Sequence, residues 1–343
     1  MDTESTRGAP APAEDAAPTL SGAPTGDAAP SQELPSSVPA ETSPRSGLSN
    51  LTLRLLTAAA LIPPVLWVTY AGGLPFVLVI LGISVLGINE FYSFIAQKGA
   101  TPHRLLGTVA AGLIPLIVYY GDSALATNFL TFVLLTTMIL QLTKQEIREA
   151  IASVSVTFFG IFYVAWLMSH AISIRFLYQE LEGRYGAFAV VSLDPEIGVF
   201  FMVYCVAAFL GCDAGAYFVG RQFGRRPLAP GISPKKSVEG AVGGVLIGGV
   251  LAVLIKLFFD YLWPEALSEK FALWAAFWFG IAVAISGVIG DLIESLLKRD
   301  AAVKDAGRLL PGVGGVLDRI DSALLAFPVL YYLLLAYYYF HFS

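Results

Sequence analysis

Charge is scarce in this chain. Only 14% of its 343 residues are charged, while 56% are hydrophobic; a soluble domain carries about 25% charged residues. Mean hydropathy is +0.70. The shortfall falls in long apolar runs of about 20 residues, the length a helix needs to cross hydrocarbon. A soluble enzyme is thereby excluded, and so are a collagen-like rod and a disulfide-stapled secreted module. The pattern is that of a polytopic membrane protein.

Cysteine and histidine are as sparse. The two cysteines, Cys205 and Cys212, sit in one apolar run with Cα atoms about 10 Å apart along a helix, too far for a disulfide. They are read as packing residues. His103, His170 and His341 are scattered over a loop, a span and the far terminus and form no ligand set. A basic domain or arm is missing too, which excludes nucleic acid as a partner. No internal repeat is visible, which disfavours an inverted-repeat transporter.

The net charge of −5 comes from one end. Residues 1–46 hold seven acids against Arg7 and Arg45, and the rest of the chain has nineteen basic and nineteen acidic residues. Rich in Ala, Pro, Ser and Thr, this tail has too little apolar surface to offset its chain entropy, so disorder is expected. It lacks the basic start and immediate apolar core of a signal peptide. The organisation expected is a tail over 1–46 and a transmembrane domain over 47–343.

Nine helical spans are expected near 53–71, 74–95, 104–120, 124–142, 151–172, 197–219, 240–259, 271–293 and 321–341. The fold class is therefore all-α. Orientation follows from Lys and Arg. With the N-terminus inside and the C-terminus outside, fifteen of the nineteen basic residues beyond the tail fall on the cytoplasmic side. Arg175, Arg184, Lys256 and Lys270 fall outside. Small-xxx-small spacing among Gly243, Gly244, Gly248 and Gly249 favours close helix packing, within the chain or across a homodimer.

Two cytoplasmic segments, 213–244 and 290–322, hold ten of those nineteen basic residues. In the second, Asp291, Glu294, Ser295 and Lys298 share one helix face, and acids at membrane depth are costly unless paired, wetted or functional. Lys304, Asp305 and Arg308 follow, then the glycine-rich Pro311-Gly312-Val313-Gly314-Gly315, then Asp318, Arg319 and Asp321. Glycines admit backbone N–H groups to a phosphate, Asp offers hard oxygens to Mg²⁺, and Lys and Arg neutralise phosphate oxygens. The residues fit a metal-dependent site for a phosphorylated lipid and a nucleotide; an elaborate cytoplasmic loop fits them as well. Glu90, late in the second span, either lines such a site or is a snorkelling or helix-paired acid.

The stretch Ser295-x-Leu297-Lys298-Arg299-x₄-Lys304-Asp305-x-Gly307-x₂-Leu310-Pro311-x-Val313-Gly314-Gly315-Val316-x-Asp318-Arg319-Ile320-Asp321 closely resembles the motif of the phosphatidate cytidylyltransferase (CDP-diacylglycerol synthase) family. It departs at Val313, where the family commonly has His. The upstream run Ser233-Pro234-Lys235-Lys236-Ser237-Val238-Glu239-Gly240, with Asp213 and Gly220-Arg221 before it, is similar to that family as well. The resemblance implies a nucleotidyltransferase that makes CDP-diacylglycerol and pyrophosphate from CTP and phosphatidate with Mg²⁺, in the cell's inner membrane with the site facing the cytoplasm. It implies Asp291 and Asp318 as the metal-binding pair, and Lys298, Arg299, Lys304 and Arg319 as phosphate holders. Asp305 and Asp321 would be polar partners in the catalytic group. Ser233, Lys235 and Lys236 would serve the nucleotide, with Asp213, Arg221, Glu239, Gly314 and Gly315 in the binding set. Loss of the imidazole at Val313 is expected to tune rate or binding without abolishing the chemistry. A CTP-dependent lipid kinase of the polyprenol or phytol type and a membrane transporter are the rival readings. The kinase would release CDP in place of pyrophosphate.

Overall fold

The computed structural model describes residues 63–121, 123–144, 149–263, 271–303, 307 and 315–342. Residues 63–71 are helical (α1). Then follow α2 (Gly73–Ala96), α3 (Arg104–Tyr120), α4 (Ser123–Leu142) and α5 (Ala150–Arg175). Two short helices, α6 (Leu177–Tyr185) and α7 (Ala187–Val190), lead to α8 (Ile197–Phe223). A small ribbon, β1 (Pro227–Ala229) and β2 (Ser233–Ser237), precedes α9 (Val238–Leu262), α10 (Leu273–Asp300) and α11 (Leu317–Phe342).

Seven of these helices are long and apolar enough to cross a membrane, and α3, at 17 residues, is shorter. The chain is thus an α-helical polytopic membrane protein. The expected tail lies outside the described residues, as does the expected first span up to residue 62. The ribbon departs from an all-helical reading. Its strands pair antiparallel, Pro227 with Ser237 and Ala229 with Ser233, and Ser237 then caps α9 by accepting the Gly240 N–H at 3.1 Å, relieving one unpaired N–H of the first turn. Helix α5 also carries an unexpected π segment, Ile161–Trp166.

Lipid tails are as apolar as leucine, so these helices cohere through close packing. Helix α9 lies against α8 along its glycines: a Cβ on Gly244 would stand 2.5 Å from the Cys212 carbonyl oxygen, closer than real contacts allow. Gly243 and Gly248 also meet α8, and Gly249 meets Ile281 and Phe277 of α10. The small-residue pattern is therefore spent on packing within the chain. Cys205 and Cys212 are buried free thiols, as read from the sequence. Helix α11 packs on α10, α8, α5 and α2, so residues at its start face several neighbours at once. Lys256, expected on the outer flank, is instead buried in α9 and ion-paired with Asp260.

Candidate active site

The C-terminal end of α10 and the N-terminal end of α11 are brought together by Gly290, whose missing side chain lets the Asp321 carbonyl lie directly against it. One residue later on α10 stands Asp291. Oxygens of Asp291, Glu294 and Asp321 lie within 4.8 Å of one another, and Glu294 is only 1% exposed. Three carboxylates so close in a half-dry setting repel strongly unless cations sit among them. Two lysines do. Lys236, on β2, pairs with Asp291. Lys298 pairs with Glu294 and, at 3.0 Å, with Asp318.

Backbone N–H groups hold two further acceptors, while the buried Glu294 Oε1 has no hydrogen-bond partner among the described residues. The Gly315 N–H donates to Asp318 Oδ2 at 3.0 Å, and the Ser322 N–H donates to Asp321 Oδ1 at 2.6 Å. Ser295 reaches Asp291 Oδ1 at 3.4 Å. Asp291, Glu294, Ser295 and Lys298, the i, i+3, i+4, i+7 face read from the sequence, all take part in these contacts.

The ribbon supplies the second wall. Its pairing sets Ser233 half-buried, Lys235 exposed and Lys236 turned onto α10. Arg299 Nε donates to the Ile232 carbonyl at 3.3 Å, which ties α10 to the ribbon's turn. Glu239 accepts the Arg225 and Arg226 N–H groups at 3.0 and 3.2 Å; its carboxylate shapes the ribbon's approach to α9. Asp213, on α8, lies close enough to interact electrostatically with Asp291 and Lys236. Arg221 reaches Tyr217 of its own helix, at 3.5 Å. Arg319 is exposed at the start of α11. Lys304, Asp305, Val313 and Gly314 lie outside the described residues.

Sequence reasoning left Glu90 undecided and gave Glu294 no role. Glu90 is 4% exposed on α2. Its Oε2 accepts the Leu317 N–H at 2.9 Å, and a Cβ on Gly307 or Gly315 would stand 2.5 or 2.7 Å from the same carboxylate, so either would force it to shift. One acid thus touches both sides of the glycine-rich stretch. The signal for Glu294 was present, three residues after Asp291; the contact between α2 and α11 had none. His103 meets Gln141 at 3.0 Å and burial lowers its pKa, while His170 meets the Trp166 carbonyl at 3.0 Å.

Residues 52–337 match the model of the cytidylyltransferase family. A phosphatidate cytidylyltransferase of Synechocystis sp. is 32% identical over 294 residues, covering 82% of this chain and 95% of that protein. The chloroplastic phosphatidate cytidylyltransferase 4 of Arabidopsis thaliana is 30% identical over 289 residues, 80% of this chain and 71% of that one. A phosphatidate cytidylyltransferase of Bacillus subtilis is 42% identical over 143 residues, 42% of this chain and 50% of that one.

Proposed function

The chain belongs to the cytidylyltransferase family, and from that premise we propose that it transfers CMP from CTP to phosphatidate. The products are CDP-diacylglycerol and pyrophosphate. The observation that carries this reading is the match to named phosphatidate cytidylyltransferases along four-fifths of the chain. The carboxylate and lysine cluster at one membrane edge supports it.

A phosphate oxygen of phosphatidate attacks the α-phosphorus of CTP; a P–O bond forms there and the bond to the β-phosphate oxygen breaks. A phosphate monoester's second pKa is about 6, so the attacking oxygen is already largely ionised near neutrality and needs no general base. The obstacle is repulsion between a dianion and a triphosphate. Lys298, Arg299, Lys304 and Arg319 would hold phosphate oxygens, and Ser233, Lys235 and Lys236 the nucleotide, with the ribbon turning Lys236 toward α10.

The cluster fits a divalent cation: its donors are hard carboxylate oxygens within 4.8 Å of one another, and their repulsion falls when one binds. Mg²⁺ would be held by Asp291 and Asp318, with Glu294 and Asp321 as further donors. Bound there it would neutralise phosphate charge, including that of the departing pyrophosphate. We further propose nine spans, N-terminus inside and C-terminus outside. The site then faces the cytoplasm across the inner membrane, and the fifteen-to-four distribution of basic residues supports this orientation.

The test uses full-length protein in detergent with α-labelled CTP, phosphatidate and Mg²⁺, beside Asp291→Asn and Asp318→Asn. Label entering the lipid and pyrophosphate released in equal amounts, both lost in the variants, is expected. CDP released on adding a lipid alcohol would move the assignment to a kinase.

A further inference from the structure

Gly307 and Gly315 meet on one side chain that comes from the other end of the chain. A Cβ on Gly315 would stand 2.9 Å from the Gly307 nitrogen and 2.7 Å from Glu90 Oε2, and one on Gly307 would stand 2.5 Å from Glu90 Oε1. Two separate stretches of backbone are therefore packed together with the carboxylate of α2 set against both. Helix α2 comes this close because Gly87, on the same face as Glu90, carries no side chain. A Cβ there would lie 3.0 Å from Val164 of α5 and 3.6 Å from Ile320 of α11.

From Glu90 a series of bonds runs to the acid cluster. Its Oε2 accepts the N–H of Leu317, the first residue of α11, at 2.9 Å. An N–H of the first turn is thus satisfied from another helix, and negative charge sits at the positive end of α11. The next residue is Asp318. Its Oδ2 accepts the Gly315 N–H at 3.0 Å, and its Oδ1 meets Lys298 at 3.0 Å. Lys298 pairs in turn with Glu294. Leu317 before Asp318 in the helix and Gly315 bonded to its carboxylate both rest on Glu90. At 4% exposure, Glu90 is itself out of a substrate's reach and acts through these two residues. We propose that Glu90 is a positioning residue for the metal site: by seating Leu317 and Gly315 it sets the place of the Asp318 carboxylate, and with it the affinity for the divalent cation. This rests on the assignment of Asp318 to the metal given above.

The probe is Mn²⁺ alone, titrated into full-length protein in detergent and followed by electron paramagnetic resonance. Glu90→Ala is expected to weaken Mn²⁺ binding by about tenfold or more, as loss of a partner behind a metal ligand does. Glu90→Gln keeps an acceptor for the Leu317 N–H and should stay within about threefold of wild type. Glu90→Asp keeps the charge but falls one methylene short, so it should follow Glu90→Ala, and it carries the test if the alanine variant does not fold. Tyr204→Phe deletes a buried hydrogen bond to the Ala276 carbonyl, roughly two and a half turns of α8 from Asp213. Its Tm should fall while its Mn²⁺ affinity holds, which separates lost stability from lost position. The Mn²⁺ titration needs no turnover, so it judges Glu90 even if no CDP-diacylglycerol is made. Wild-type Mn²⁺ affinity in both Glu90→Ala and Glu90→Asp would reduce the residue to a cap of α11. Weak binding in Glu90→Gln with normal binding in Glu90→Asp would make its charge, not its reach, the active property. A wild type that transfers label but binds no Mn²⁺ would leave the reaction standing without this metal site. Each of the three overturns the proposal.

Discussion

Replacing Lys298 with methionine isolates the charge that joins α10 to α11. The ammonium lies 3.0 Å from Asp318 and also contacts Glu294; Lys298 is 15% exposed, Asp318 15% and Glu294 1%. At an effective dielectric near 20, one such pair has a gross attraction on the order of 5 kcal/mol. Most of that is offset by desolvation, but breaking a buried pair on one side typically costs about 3–5 kcal/mol because the partner charge is left behind. The partial exposure of Lys298 puts the expectation at the lower end, about 3 kcal/mol. The measurement is thermal unfolding in detergent of wild type, Lys298→Met, Glu294→Gln and the double variant. The lysine variant should melt lower, and the double variant should recover part of the loss, since no buried anion then waits for the ammonium. If Lys298→Met melts with the wild type, or if the two substitutions are strictly additive, the lysine is not the counter-charge of Glu294 and the reasoning fails.

Gly290→Ala would thrust a methyl group into the Asp321 carbonyl, so α10 and α11 must separate. Label transfer from CTP into lipid should fall by more than tenfold, since angstrom-scale misplacement costs that order, in protein that still folds in detergent. Glu90→Ala removes the acceptor of the buried Leu317 N–H at a cost of about 1–3 kcal/mol. It should also expose the glycine-rich stretch to limited proteolysis, a change that Glu90→Gln, which keeps an acceptor oxygen, should largely avoid.

Much of this architecture could be read from the chain because hydropathy over 20 residues is a strong signal, and the spans near 74–95, 197–219 and 240–259 reappear as α2, α8 and α9. The face Asp291, Glu294, Ser295, Lys298 was legible because a helix fixes it by spacing alone. The ribbon was not: three and five residues flanked by proline and glycine carry no alternating pattern, and the pairing of Ala229 with Ser233 is set by a turn. Glu90 was hidden for a different reason. It reaches Gly307, Gly315 and the start of α11 from a distant helix, and a lone acid in an apolar run looks the same whether it meets such a stretch or another helix. The pair Asp291 and Asp318 came from the motif's resemblance. The packing adds that Glu294 and Asp321 are the carboxylates grouped with Asp291, while Asp318 leans on Lys298 and Gly315.

The charge distribution among the described residues carries one consequence for how the site fills. Asp213, Asp291, Glu294, Asp318 and Asp321 gather around Lys236 and Lys298, and both lysines are already paired with those acids. That core is negative before the exposed Lys235, Arg299 and Arg319 are counted, yet its proposed substrates are a triphosphate and a phosphate monoester. At an effective dielectric near 20, each like-charge contact at about 4 Å opposes entry by on the order of 4 kcal/mol, more than a single exposed arginine such as Arg299 returns. Divalent charge must therefore arrive before CTP or with it, and CTP affinity should depend on Mg²⁺ far more steeply than at a site lined by lysines. Calorimetric titration of CTP into full-length protein, with Mg²⁺ and with EDTA, reads this directly. Affinity should fall by at least a hundredfold, about 2.7 kcal/mol, when the metal is chelated, and in Asp291→Asn the penalty of chelation should shrink because one repelling charge is gone. Equal CTP affinity with and without the metal would mean that the nucleotide binds clear of the acids, on the ribbon alone, and the cluster would then have to serve the lipid phosphate by itself.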